Sequence, residues 1–166
     1  MNATRALILL GAAIVLAAVN VSIMGKESIR HNGEIVYLDL APRDPRSIMQ
    51  GDYMALRFRL AQEIEASLHS GAPVNPVMSE GQAGFAHIAL DEKRVASLAK
   101  AGVASNLRIR YRIRKGAVWL GTNAFFFEEG TDSRYASARY GEFRLDAASG
   151  EAVLVGLRDA KFGALN

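Results

Sequence analysis

The sequence predicts a mainly β (α+β) protein: one N-terminal transmembrane helix, then a compact, mostly antiparallel β domain, barrel- or sandwich-like, with one or two short helices. Three observations predict this fold. A long uncharged apolar segment lies near the N-terminus, several segments alternate apolar and polar residues, and one segment repeats apolar residues every four positions. The chain has 166 residues, 50% hydrophobic and 22% charged, which suits one ordinary domain after the helix.

The N-terminal segment places twenty uncharged residues between Arg5 and Lys26. At about 1.5 Å per residue such a helix spans about 30 Å, the thickness of a bilayer core. A cleaved signal peptide is the alternative interpretation, but Leu16 and Asn20 occupy positions where cleavage requires small residues. We therefore favour an uncleaved anchor over residues 1–25, followed by a domain over residues 26–166.

The orientation of this anchor cannot be assigned by counting Lys and Arg, because they are almost equally frequent on its two sides. An N-terminal hydrophobic segment before a long domain commonly acts as an export signal, so we expect residues 26–166 outside the cytoplasm. Asn20 lies near the far end of the helix. We favour an interfacial position for its amide over a hydrogen bond to another membrane helix.

Strand patterns dominate the remaining sequence. Residues alternate most clearly in Tyr53–Leu60 and Leu107–Lys115, which indicates strands buried on one side. The other predicted strands are Glu34–Leu40, Phe85–Leu90, Ala117–Leu120, Asn123–Glu128, Glu142–Asp146 and Ala152–Leu157, the last two joined as a hairpin. Leu60–Ser70 has helical spacing, Ser133–Arg139 suits a short helix or turn, and Glu92–Lys100 fits either a helix or a strand.

The most informative stretch is Leu40–Phe58, which contains a rigid turn before an alternating strand. Two prolines restrict the backbone of this turn, and Gly51 allows a positive φ or a close backbone approach. Asp52 can accept backbone hydrogen bonds in the turn or pair with a neighbouring arginine. From the residues alone, this stretch is a strand, a turn and a second strand.

Gly51-Asp52-Tyr53-Met54-Ala55-Leu56-Arg57-Phe58 resembles the motif that names the GDYXXLXY family of bacterial membrane-anchored proteins. The preceding Asp44-Pro45-Arg46-Ser47 resembles that family's usual lead-in. Later blocks also resemble it, in the same order: Phe125–Gly130, Tyr135–Arg144 and Leu154–Asp159. Phe58 replaces the last tyrosine of the motif, so we expect a buried ring there without a role for a hydroxyl.

This resemblance implies a bacterial protein with one N-terminal membrane anchor and a domain of uncharacterised function. Together with the export argument above, we expect a single-pass protein of the bacterial cytoplasmic (inner) membrane with a periplasmic or other extracytoplasmic domain. Relatives tend to be encoded beside large multi-pass membrane proteins. The resemblance therefore implies an integral membrane protein as partner, in addition to the membrane itself. It implies no particular activity.

Two clusters are candidate interaction surfaces. The binding or structural candidates are Asp44, Arg46, Gly51, Asp52, Tyr53, Leu56, Phe58, Glu129, Tyr135, Arg139, Tyr140 and Glu142. Tyr135 and Arg139 would share one face if their segment were helical. The aromatic run Phe125–Phe127 and the segment from Tyr135 to Tyr140 form either an aromatic core with structural ion pairs or, together with the Asp52 turn, a pocket for a ligand or peptide.

The second surface is a basic strand face formed by Arg108, Arg110, Arg112 and Arg114. It either contacts anionic lipid headgroups, an acidic partner or an acidic ligand, or pairs with acids of neighbouring strands. We favour the second interpretation, with Glu128, Glu142 or Asp146 as the neighbouring acids, because exposed polar faces are ordinary in antiparallel sheets.

Composition excludes several other classes of function. With 20 Lys and Arg against 17 Asp and Glu, the net charge of +3 is too small to predict a nucleic-acid partner. The absence of cysteine excludes thiol nucleophiles and thiolate metal sites. His31, His69 and His87 lie far apart, so we expect no metal site, and nothing predicts a cofactor.

We expect a non-enzymatic accessory or interaction domain that docks on a multi-pass membrane protein. The alternative is a membrane-proximal domain that binds a ligand or peptide. A signal-peptidase-like hydrolase is a remote alternative, because Ser47 follows Pro45 where that pattern requires serine before proline.

Overall fold

The computed structural model describes residues 3–41, 49–50, 53–70, 80–100 and 105–165. Residues 42–48, 51 and 52 of the predicted turn and motif lie outside these ranges, and with them the candidates Asp44, Arg46, Gly51 and Asp52 and the serine at position 47. The helices are α1 Ala3–Asn32, α2 Arg59–Ser70 and α3 Asp132–Tyr135. The strands are β1 Glu34–Asp39, β2 Met49–Gln50, β3 Tyr53–Ala55, β4 Ala83–Leu90, β5 Ala96–Leu98, β6 Arg108–Arg114, β7 Ala117–Trp119, β8 Ala124–Phe126, β9 Tyr140–Leu145, β10 Ala152–Arg158 and β11 Ala164–Leu165.

Helix α1 contains, over Leu7–Asn32, the one segment of the described residues that is long and apolar enough to cross a membrane. Its large apolar side chains are exposed along the free part of the helix. The helix continues past the end of the uncharged segment and stops at Gly33, whose N–H donates to the Ile29 carbonyl at 2.8 Å. Strand β1 begins at the next residue, so the apolar helix enters the sheet without an intervening loop.

The first sheet has the strand order β1-β9-β10-β11, with antiparallel pairing throughout. Val36 lies opposite Phe143 in register, and both side chains are buried on the core side. Strands β9 and β10 form the hairpin that the sequence predicts. Their loop is closed by the Asp146 N–H, which donates to the Glu151 carbonyl at 2.9 Å.

A second sheet, with the order β5-β4-β6-β7, meets the first at strand β1. The Tyr37 N–H donates to the Arg94 carbonyl at 2.9 Å, and the Arg94 side chain donates back to the Ile35 carbonyl at 2.6 Å. The Arg110 N–H reaches the Gly150 carbonyl of the β9–β10 loop at 2.7 Å. These bonds curve the sheets into a partial barrel, with the small sheet β2-β3-β8 at one end.

Helix α2 covers the barrel interior with one apolar face, on which Leu60, Ala61 and Ile64 are buried. Two of its carboxylates accept hydrogen bonds from backbone N–H groups of β5 and β7. Glu63 accepts the Leu98 N–H and Glu65 accepts the Val118 N–H, both at 2.8 Å. The helix is therefore held by hydrogen bonds to strand edges as well as by apolar packing.

The fold class predicted from the sequence is confirmed: an N-terminal apolar helix, antiparallel sheets and few short helices. The ambiguous segment Glu92–Lys100 contains strand β5. One predicted strand, Tyr53–Leu60, is wrong in its extent, since β3 ends at Ala55 and α2 begins at Arg59. Burial still alternates through Leu60, because the first turn of α2 directs that side chain into the same core.

Candidate functional site

The described part of the motif supplies core side chains. Met54, Leu56 and Phe58 are all buried, and the Phe58 ring, 1% exposed, meets Phe143 edge-to-face with centroids 5.3 Å apart. The backbone is equally well connected, because the Leu56 N–H donates to the Asn123 carbonyl at 2.7 Å. The expected buried ring at position 58 is confirmed.

Tyr53, on the opposite side of β3 from Met54, belongs to an aromatic cluster near the end of the barrel. Its ring lies 5.8 Å from that of Phe126, which is 75% exposed. Tyr135 lies on the other side of the same run, with its ring 5.1 Å from Phe125 and 5.3 Å from Phe127. The structure thus brings the motif strand and the later aromatic blocks together. The turn at Asp52, the other half of the predicted pocket, lies outside the described residues.

Arg139 does not share a helix face with Tyr135, because α3 ends at Tyr135. Instead, Arg139 Nε lies 3.2 Å from Oδ1 of Asp39 at the end of β1, and Arg59 Nε lies 3.2 Å from the other carboxylate oxygen. Asp39 Oδ1 is buried and accepts no aligned hydrogen bond within the described residues. One carboxylate therefore joins β1, the start of α2 and the segment before β9.

Tyr140 and Glu142 occupy further separate positions on β9. Tyr140 stacks on Phe162 at 4.6 Å, and Tyr37 contacts the same Phe162 ring edge-on at 5.0 Å. Glu142 is 6% exposed and pairs with Arg158 of β10. Glu129 is exposed and has no ion-pair partner among the described residues. Arg139, Tyr140 and Glu142 therefore each take part in a separate structural contact, and Glu129 is not part of any of them.

The basic strand face lies on the side of β6 opposite its core residues Ile109, Tyr111 and Ile113. Arg108 donates to the Ala148 carbonyl at 2.8 Å and lies over the Phe85 ring. Arg114 lies over the Trp119 ring, with the guanidinium carbon 5.6 Å from the centroid.

Two of the acids that were expected to neutralise the basic strand face bind other residues instead. Glu142 faces Arg158, and Asp146 accepts from Ser149. The carboxylate that reaches the arginines is Glu151, which lies 3.4 Å from Arg110 Nη1 and 2.6 Å from Lys26 Nζ. As expected, a nearby acid pairs with Arg110. That acid is Glu151, however, and not one of the three acids expected from the sequence.

Glu151, Lys26 and Arg110 border a groove of about 370 Å³, which lies between α1, β6, β7 and the start of β10. Its lining, which we call the basic groove, consists of Lys26, Arg110, Arg112, Arg114, Trp119, Gly121, Glu151 and Ala152. Four cations and one carboxylate face the same space. A second cavity, of about 500 Å³, lies between α1 and the β9–β10 loop.

Other polar groups show little sign of catalytic arrangement. No group of three or more His, Asp or Glu side chains suited to a metal ion occurs among the described residues. The pKa of Asp146 is lowered, first because the Ser149 hydroxyl donates to its carboxylate at 2.5 Å, and further by the Ser149 and Ala148 N–H groups. This carboxylate stabilises the β9–β10 loop and lies outside the basic groove.

Sequence inspection missed Asp39, Phe162 and Glu151 as connecting residues. The position of Asp39 could have been recognised in the sequence. In a strand with period two it lies on the same face as Tyr37, opposite the face of the buried Val36 and Leu38. Phe162 lies outside any periodic segment. Glu151 becomes relevant only because the fold brings it to Lys26, 125 positions away.

The combination of one apolar helix, a partial antiparallel barrel and the motif strand in its core defines the class: a mainly β domain joined to a single N-terminal apolar helix. The chain belongs to the GDYXXLXY family, whose model, described as GDYXXLXY protein, matches residues 15–157. No curated protein matches the chain. No solved structure matches it either.

Proposed function

We propose that this chain is a membrane-anchored, non-enzymatic accessory domain that docks on a multi-pass membrane protein of the bacterial inner membrane. The observation that carries the proposal is the loop-free passage from α1 into β1 at Gly33. Arg144 Nη1 donates to the Gly33 carbonyl at 3.2 Å, and Lys26 pairs with Glu151. With α1 as the proposed membrane anchor, these contacts would hold the domain close to the bilayer surface, within reach of the extramembrane loops of a partner.

The exposed surface of α1 supports a partner inside the bilayer. Helices in membranes associate where small residues allow close approach of backbones. A Cβ atom added at Gly11 or Gly25 would meet nothing within 4 Å, so both positions are open. They lie close to four helical turns apart and therefore on the same side of α1. Asn20, by contrast, donates to the Leu16 carbonyl of its own helix at 2.8 Å, which satisfies part of its amide.

Co-purification tests the proposal directly. The full chain with a C-terminal tag is expressed in its native membrane, crosslinked, solubilised mildly and purified. We expect a multi-pass protein in near-equal amount. Purification of the chain alone, after efficient crosslinking, would overturn the accessory function.

A variant pair locates the docking side. Gly11→Leu with Gly25→Leu fills the open side of α1 and is expected to reduce partner recovery severalfold. Ala12→Leu with Ala13→Leu adds similar bulk on a side of α1 centred opposite the two glycines and serves as the matched control. Equal recovery for both pairs would place the docking contacts elsewhere on the chain.

The same proposal places residues 26–166 in the periplasm. A reporter that is active only outside the cytoplasm, fused after Asn166, is expected to give signal, and a cytoplasm-specific reporter at the same position to give none. The reverse pattern would reverse the topology without removing the membrane anchor.

A further inference from the structure

We propose that the basic groove binds the phosphodiester headgroup of an anionic lipid of the phosphatidylglycerol class. The inference rests on the proposed membrane anchoring of α1 and extends it to a specific lipid site. Two independent observations carry it: the charge of the groove and its position at the end of the apolar helix.

The charge of the groove is unbalanced. Glu151 engages Lys26 and Arg110, which fixes these two cations at one side of the space. Neither Arg112 nor Arg114 has a carboxylate within ion-pair distance in the described parts of the chain, and Arg114 lies over the Trp119 ring. A guanidinium group donates two parallel hydrogen bonds to phosphate oxygens, so Arg112 and Arg114 offer an open site for one phosphate.

Cross-strand neighbours do not supply the missing negative charge. Arg112 lies between Ala83 of β4 and Trp119 of β7, and Arg114 lies opposite Ala117. The ordinary arrangement of an exposed strand pairs cations with opposite charges across the ladder. Here the neighbours are apolar or aromatic, which leaves the two guanidinium groups available to a ligand.

The position of the groove specifies the source of the phosphate. Lys26 is the first charged residue after the uncharged segment and also lines the groove. If that segment lies in the hydrocarbon, Lys26 lies at the headgroup level, and the groove opens there too. Trp119 adds an aromatic ring of the kind that favours the membrane interface. A volume of about 370 Å³ lies in the range of small-molecule sites and has room for a glycerophosphate group.

The test uses the full chain in detergent micelles, supplied with equal amounts of phosphatidylglycerol and phosphatidylcholine. Native mass spectrometry then counts the lipids that remain bound. We expect preferential retention of phosphatidylglycerol by the wild type, and a loss of that preference by about tenfold or more in Arg112→Gln/Arg114→Gln. Arg112→Lys/Arg114→Lys keeps the charge and is expected to retain most of the preference.

The matched control is Arg108→Gln/Arg134→Gln, in which Arg134 is an exposed residue of α3 outside the groove. It removes the same charge, and Arg108 lies on the same strand face outside the groove. The control is expected to keep the preference. Equal loss in both double variants would show a non-specific effect of charge, and no preference in the wild type would also overturn the proposal.

Inorganic phosphate and glycerol 3-phosphate distinguish a lipid from a soluble ligand. We expect millimolar concentrations of either to leave bound phosphatidylglycerol in place. Displacement by either compound at those concentrations would identify a soluble phosphate site instead.

Alkaline extraction of the membranes and partner recovery are measured on the same variants. Both are expected to be unchanged, so failure of the lipid site is separable from failure of the anchor or the docking.

Discussion

Segment Tyr53–Phe58 and strand β6 both alternate large apolar residues with other residues, but they differ in what their second face contacts. The core side of each is buried against the same interior. The other side of the motif segment packs Tyr53 against Phe126 and sets Arg57 near Glu65. The other side of β6 directs three arginines into an open groove. The described motif residues therefore serve core packing and local contacts, while the cations that face an open groove lie on β6.

Removal of the Phe58 ring should have the largest effect on stability. Phe58→Ala leaves a cavity beside Phe143 and is expected to cost about 3–5 kcal/mol of the unfolding free energy. Urea unfolding of the full chain in detergent, followed by fluorescence of the single tryptophan, Trp119, measures this cost. Phe126→Ala, at an exposed ring, is the control and should cost less than about 1 kcal/mol. Similar costs for both would contradict the packing role of the motif.

Glycines of the first sheet test how tightly the core surrounds Phe58. A Cβ atom at Gly141 would lie 3.0 Å from both the Phe58 and Phe143 rings, so Gly141→Ala should cost about 1–3 kcal/mol. At Gly156, on the neighbouring strand, a Cβ atom would meet nothing within 4 Å. Gly156→Ala should change the unfolding free energy by no more than about 0.5 kcal/mol. Urea unfolding curves with equal midpoints and slopes for the two variants would mean that this part of the core is loosely packed.

The ion pairs at the end of β1 are worth less, because both arginines are substantially exposed. Asp39→Asn removes the charge shared by Arg59 and Arg139 and should cost about 1 kcal/mol. Glu129→Gln changes an exposed carboxylate without an ion-pair partner in the described ranges and should be neutral. A double-mutant cycle of Asp39→Asn with Arg139→Gln should give a coupling of about 0.5 kcal/mol. A coupling of zero would show that the Asp39–Arg139 contact does not stabilise the fold.

The elements that could be predicted from the sequence are those whose geometry repeats locally. Period two identified the buried residues of β6, because successive side chains of a strand must point to opposite faces. The same signal failed at Leu60, since burial alone does not distinguish the end of a strand from the first turn of a helix. The Asp39–Arg139 and Lys26–Glu151 pairs depend on the pairing of distant strands. No local pattern specifies that pairing, so the basic strand face was visible in the sequence while the groove was not.

Acidification should have the smallest effect, and it acts on the β9–β10 loop that carries Glu151. The lowered pKa of Asp146 means that its charged form is stabilised in the folded chain, chiefly by the Ser149 hydroxyl. This stabilisation is therefore complete above the unfolded pKa of about 3.9 and is lost as the pH falls through the lower folded value. Ser149→Ala should raise the pKa of Asp146 and reduce the acid-dependent loss of stability. A carboxyl NMR titration measures the shift, and Ser137→Ala, at an exposed serine outside this loop, is the control. An unchanged Asp146 titration in Ser149→Ala would show that the hydroxyl does not hold the loop, and the position of Glu151 in the groove would then depend on Lys26 and Arg110.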